Sequence, residues 1–121
     1  MFIDTLYTIK EKRETPNGFD VDVSFDETHF VYKAHFPENP ITPGVCMLEV
    51  AKQIIATHYN SKIELITVKN IKFLQVIVPN KNEIVCYKIT TSEEEGQIKA
   101  NIVIDNADVC FAKISVIYKK V

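Results

Sequence analysis

The sequence predicts an α+β fold in which a largely antiparallel sheet packs on one long apolar helix. Three observations carry that expectation. Residues 19–26 alternate strictly, with Phe19, Val21, Val23 and Phe25 set against Asp20, Asp22, Ser24 and Asp26. Apolar residues recur at helical spacing between positions 42 and 59, and four further strand-like segments follow. A single helix cannot serve the crossovers of a parallel sheet, so the strands must pair antiparallel. At 121 residues, one domain spanning positions 1–121 is expected.

Each element has its own signal. The alternation at 19–26 is that of a half-buried strand, and His29 to His35 reads as more extended chain, with Phe30, Tyr32 and Ala34 on one face. Three prolines and a glycine in Pro37-Glu38-Asn39-Pro40-Ile41-Thr42-Pro43-Gly44 then break regular structure. Thr42 reads as an N-cap and Pro43 as the first helical residue. Met47, Val50, Ala51, Ile54 and Ile55 form the helix's buried stripe. Val45, Cys46 and Leu48 make its first turns apolar nearly all round, which predicts other structure on every side. Strands are predicted over 63–78, 84–91, 98–105 and 109–118, with turns near Pro79-Asn80, Glu95-Gly96 and Asn106-Ala107.

Composition narrows the class. Hydrophobic residues make up 46% and charged residues 25%, as in ordinary water-soluble domains. No apolar run approaches the ~20 residues of a membrane span, and the first residues lack the basic-then-apolar order of a secretory signal. Cys46, Cys86 and Cys110 are an odd number in apolar surroundings, which fits reduced thiols in the cytoplasm. A net charge of −2 argues against nucleic acid as a partner. The charge is uneven. Residues 1–40 carry eight acids against four bases, whereas Lys62, Lys69, Lys72 and Lys81 are interrupted only by Glu64. That stretch is either a solvated face or a docking patch for an acidic partner.

The chemistry concentrates between His35 and Gln53. Glu49 interrupts an apolar run, where a carboxylate is costly unless paired or protonated, and burial would keep it available as an acid. Equally, Glu49, Lys52 and Gln53 could form the polar edge of the helix. His35 lies where extended chain gives way to the proline loop; His29 and His58 read as structural. The Gly44 amide falls in the first helical turn, where donors are unpaired and the dipole is positive. Glycine there allows a carbonyl to come close to the backbone. Donor, base and acid together would suit chemistry beside a carbonyl. No Gly-x-Ser-x-Gly elbow, phosphate-binding glycine loop or zinc-type His/Cys spacing is present.

The run His35-Phe36-Pro37 through Pro40 and Pro43-Gly44, followed by Glu49-Val50-Ala51-Lys52-Gln53, resembles the signature of the β-hydroxyacyl-acyl-carrier-protein dehydratases. The resemblance is close over about residues 35–53, and the strand order fits elsewhere. It implies the hot-dog fold, a curved antiparallel sheet around a central helix, and assembly as homodimers or larger oligomers. It also implies an enzyme that removes water from β-hydroxyacyl thioesters on acyl carrier protein, giving trans-2-enoyl products in fatty-acid or related acyl synthesis. By the resemblance, His35 is the base for the α-proton and Glu49 protonates or orients the β-hydroxyl. The Gly44 N–H holds the thioester oxygen, with Phe36, Ile41 and Gln53 beside the substrate. No cofactor or metal is implied. Lys69 and Lys72 become candidates for carrier docking. Glutamate at position 49 matches the branch that dehydrates without moving the double bond.

Departures are visible. Glu38 stands where the family usually has glycine, and after Lys72-Phe73 the later landmarks give way to Leu74, Val76, Asn80 and Lys81. These leave the chemistry intact but leave chain length, pathway and carrier contacts open. Two other readings compete. A hot-dog thioesterase could use Glu49 to activate water, but gives His35 and the proline loop no role. A non-catalytic partner subunit would keep the fold without needing both site residues.

Overall fold

The computed structural model describes residues 5–34 and 38–121. Six strands form one antiparallel sheet in the order β1-β2-β4-β5-β6-β3. They are β1 (Tyr7–Thr15), β2 (Gly18–Phe25), β3 (Ile63–Phe73), β4 (Val85–Glu94), β5 (Gln97–Asp105) and β6 (Cys110–Lys120). Helix α1 (Phe30–Ala34) is short, and helix α2 (Gly44–Tyr59) carries the core contacts.

The alternating segment forms β2 as predicted. Its apolar residues share the core with Cys46, Met47, Val50, Ala51, Ile54 and Ile55 of α2 and with the inward residues of β4, β5 and β6. Gly18 is required where β2 meets β4, because a Cβ there would lie 1.9 Å from the Ile89 carbonyl oxygen. The helix ends on Asn60, whose left-handed backbone (φ 48°) lets the Asn60 and Ser61 amides close on Thr57 and Ala56.

Four expectations need correction. Tyr7–Thr15 is a strand the pattern did not reveal. Its residues are almost all exposed, so no alternation marks it. Pairing along β2 orders it, aided by the Arg13 guanidinium on both oxygens of Asp22 at 2.8 and 2.9 Å. Residues 30–34, read as extended, are helical. Asp26 takes the Thr28 amide and hydroxyl on one carboxylate oxygen, and His29 Nδ1 accepts the Val31 amide at 3.0 Å. These local bonds turn the chain at the end of β2.

The third correction is at the start of α2. Pro43, not Thr42, is the N-cap, and Gly44 is the first helical residue. Thr42 is occupied elsewhere: its amide donates to the Ile77 carbonyl at 2.8 Å, and its hydroxyl pairs with Tyr32 at 2.9 Å. The fourth concerns the run at 63–78, which is a strand only to Phe73. The Leu74 and Gln75 amides both turn to the Phe111 carbonyl. The chain then leaves the sheet, so that Ile77 is buried and its carbonyl holds the loop before α2. The departure of the chain after β3 is therefore what anchors the helix start.

The two sheet edges differ in kind. β1 carries Lys10, Glu11, Lys12, Arg13 and Glu14 and a bulge, features that discourage strand addition. β3 leaves Leu65, Ile66, Val68 and Phe73 substantially exposed. Leu65, Val68 and Phe73 register with the inward-facing Tyr118, Val116 and Ala112 of β6. They share the helix side of the sheet, but β3 runs largely past α2, and among the described residues no other element covers them.

Candidate active site

Helix α2 organises the site. Its first turn uses the Pro43 carbonyl to accept the Cys46 and Met47 amides at 3.0 and 3.2 Å. The helix offers no acceptor to the Gly44 and Val45 amides, which lie at the positive end of its dipole. Position 44 is sterically restricted. An added Cβ would sit 2.6 Å from Cζ of Phe73 and 2.9 Å from Cε2, so the phenyl ring lies directly against the open face of this glycine. Val45 beside it is 72% exposed, so among the described residues nothing covers this part of the helix's apolar start.

Glu49, Lys52, Gln53 and Ala56 follow at three- and four-residue spacing and therefore share one stripe of α2. That stripe lines a cleft of about 400 Å³ closed on its other side by Lys62, Ile63, Glu64 and Val121. The volume is within the usual range for small-molecule sites, ~300–1,000 Å³. Glu49 is half-buried, not enclosed as its apolar neighbours in sequence suggested. The stripe it occupies is both the polar edge of the helix and the wall of a cleft, so the two sequence readings describe the same surface. Among the described residues no ion pair or side-chain hydrogen bond engages the Glu49 carboxylate.

Gln53 is held from the sheet. The Tyr7 hydroxyl donates to its Oε1 at 2.8 Å, which turns its NH₂ group to the other side. The sequence reading missed Tyr7 because the strand that carries it has no alternation. Ile41 is half-buried in the loop before the helix. Below that loop the Tyr32–Thr42 hydroxyl pair and the Thr42–Ile77 bond fix the helix start. Burial pushes the Tyr32 phenol up to about 12, so it stays protonated. His35 and Phe36 lie outside the described residues. Of the predicted site residues, the structure thus brings Glu49 and Gln53 together on one cleft and sets Gly44 at the start of the same helix.

The other two histidines are structural. His29 is buried and stacks on Phe30 with ring centroids 4.5 Å apart. His58 stacks on Phe19 at 4.0 Å, and its Nδ1 lies 2.7 Å from Lys12 Nζ. Burial, reinforced by the Lys12 charge, lowers its pKa, which favours the neutral ring. The predicted docking lysines lie away from the cleft. Lys72 is exposed directly across from Lys113 of β6, and Lys69 is the extra residue of a bulge in β3. Lys62, by contrast, lines the cleft itself.

A six-stranded antiparallel sheet packed on one long helix defines a protein of the hot-dog fold. The ApeI-like family model, described as ApeI dehydratase, matches residues 10–113. The chain belongs to this ApeI-like dehydratase family. A 3-hydroxyacyl-acyl-carrier-protein dehydratase, FabZ of Bartonella bacilliformis, is 36% identical over 66 aligned residues. That match takes in 48% of this chain and 42% of the relative, so it spans less than half the length of either.

Solved structures agree on the fold. The dehydratase heterocomplex ApeI:P from Xenorhabdus doucetiae matches with a TM-score of 0.75 at 15% identity, covering 93% of this chain and 97% of that one. A hypothetical thioesterase with coenzyme A from Streptococcus pneumoniae matches with a TM-score of 0.64 at 12% identity, covering 95% and 85%. Among the described residues, no helix is long and apolar enough to cross a membrane.

Proposed function

We propose that the protein dehydrates β-hydroxyacyl thioesters carried on an acyl carrier protein, within fatty-acid or related acyl-chain synthesis. The observation that carries this reading is the placement of Glu49 in an open, partly apolar cleft on the helix whose first residue is Gly44. His35 removes the α-proton while the Gly44 amide holds the thioester oxygen as it gains negative charge. Glu49 protonates the β-hydroxyl, which departs as water. Transfer of the α-proton from His35 back to Glu49 resets the site. Neither metal nor cofactor enters this balance. Ala56, Ile63 and Val121 offer the acyl chain an apolar wall beyond Glu49. Three unpaired thiols fit a reducing compartment, the cytoplasm.

The direct test is to supply β-hydroxyacyl and trans-2-enoyl thioesters of several lengths, on carrier protein and on coenzyme A. Dehydration should appear as enoyl absorbance, and the reverse reaction as its loss. Because position 49 is glutamate, the product of a β-hydroxydecanoyl thioester should remain the trans-2 isomer. A cis-3 product on chromatography would contradict that expectation. Release of free thiol without enoyl product would favour the thioesterase reading instead.

The carrier is read from charge. Lys72 and Lys113 face each other directly across two strands, a like-charge pairing that costs stability and that a polyanionic partner would offset. Exposed contacts of this kind weaken as salt screens them over ~10 Å at 0.1 M. The KM for carrier-bound substrate should therefore rise with salt, while that for a short thioester lacking the carrier changes less. Lys69→Glu and Lys72→Glu should mimic the rise. If KM is indifferent to both salt and charge reversal, these lysines form only a solvated face.

The active unit is read as a homodimer. The uncovered apolar side of β3, its free backbone edge and the exposed Val45 at the helix start fit a second copy that extends the sheet and closes the cleft.

A further inference from the structure

Five tyrosines occur in the chain, and four have a hydroxyl partner. Tyr7 reaches Gln53, Tyr32 pairs with Thr42, Tyr59 donates to Thr91, and Tyr87 donates to the Met47 carbonyl. Tyr118 is the exception. Its side chain is 1% exposed, and its hydroxyl is a buried polar atom with no hydrogen-bond partner among the described residues. Most buried polar groups are paired, and an unpaired hydroxyl is costly, so phenylalanine would serve the core better at this position.

The surroundings of Tyr118 indicate what the hydroxyl is for. It stands on the helix side of β6, opposite Ile98 of β5 and Leu65 of β3. Two residues before Leu65 lies Ile63, and three after Tyr118 lies Val121; both line the cleft that contains Glu49. Tyr118 does not itself line that cleft; it is buried in the strand pair whose ends close the cleft on the sheet side, while Glu49 borders it on the helix side. One group is a donor without an acceptor, and the other is a carboxylate without a side-chain partner. Tyr118 also lies beyond residues 10–113, the part of the chain that the family model matches.

We propose that Tyr118 is a positioning residue for Glu49, its hydroxyl donating to the carboxyl directly or through one bound water. The role rests on the reading of Glu49 as the acid of the dehydration. An acid on a helix stripe facing an open cleft has free rotation about its side-chain bonds. A donor fixed in the sheet holds one carboxyl oxygen and leaves the other aimed at the substrate hydroxyl. Burial, and after it the charge of Glu49, raises the Tyr118 pKa well above its ordinary value, so the phenol remains a donor at every working pH.

Tyr118→Phe tests this without enlarging or emptying the core. The variant should stay folded, because the buried ring and its packing are kept and a single hydroxyl is lost. Its kcat should nevertheless fall ~10-fold or more, the worth of one hydrogen bond to a charged group, with KM little changed. On a Glu49→Gln background the same substitution should add no further loss, since the two act as one unit. A readout independent of activity is the side-chain carboxyl carbon of Glu49 in ¹³C-glutamate-labelled protein, assigned by its absence in Glu49→Gln. That resonance should move in Tyr118→Phe. An unmoved resonance, or a kcat loss that simply adds to that of Glu49→Gln, overturns the proposal. If the wild type dehydrates no thioester but the resonance still moves, the contact stands and the proposed reaction is what fails.

Discussion

Glu49→Gln is expected to lower dehydration turnover by ~10²–10⁴-fold, and His35→Ala by a similar factor, because each removes one proton-transfer partner from a single elimination. The physical asymmetry of the substrate explains why both are needed. The α-proton is weakly acidic and hydroxide leaves poorly unprotonated, so neither base nor acid suffices alone. Glu49→Gln should be structurally benign. The carboxylate is half-buried in an open cleft, no ion pair among the described residues holds it, and the amide oxygen of glutamine can still accept a hydrogen bond. Steady-state kinetics with a β-hydroxyacyl thioester, beside thermal unfolding of each variant, checks both expectations. A folded variant at either position with near-normal turnover would remove that residue from the mechanism.

Mixing the two inactive variants should restore activity. If the site is shared, with His35 of one chain facing Glu49 of the other, each mixed dimer contains one site with both residues intact and one site with neither. Random exchange makes about half the dimers mixed, so the ceiling is roughly a quarter of wild-type activity. The uncovered face of β3 and the exposed start of α2 motivate the experiment, since they leave room for a second chain next to the cleft. Native mass spectrometry establishes that mixed dimers have formed. Mixed dimers without recovery would place both residues in one chain. A species that stays monomeric would remove the shared-site reading altogether.

The sequence by itself determined the architecture. Strict alternation in residues 19–26 could only be a strand with one dry face. The spacing of Met47, Val50, Ala51, Ile54 and Ile55 could only be a helix with one buried stripe, and the turns at Glu95-Gly96 and Asn106-Ala107 fell where the sheet reverses. These are local periodicities, set by the geometry of side chains on a backbone. The relative places of Gly44, Glu49 and Gln53 follow from the same periodicity, because one helix carries all three.

Only the tertiary structure decided what depends on distant partners. Strand β1 exists because β2 offers it an edge, not because of its own pattern. Thr42 was drawn from its capping role by Tyr32 and Ile77, residues ten and thirty-five positions away. The half-exposure of Glu49 depends on where Ile63, Glu64 and Val121 run, and Tyr118 comes beside β3 only because β6 pairs with it. Phe73 against Gly44 is a contact across twenty-nine residues of sequence. Periodicity records which face of an element is buried; it does not record what that face is buried against, and the site is made at such meetings.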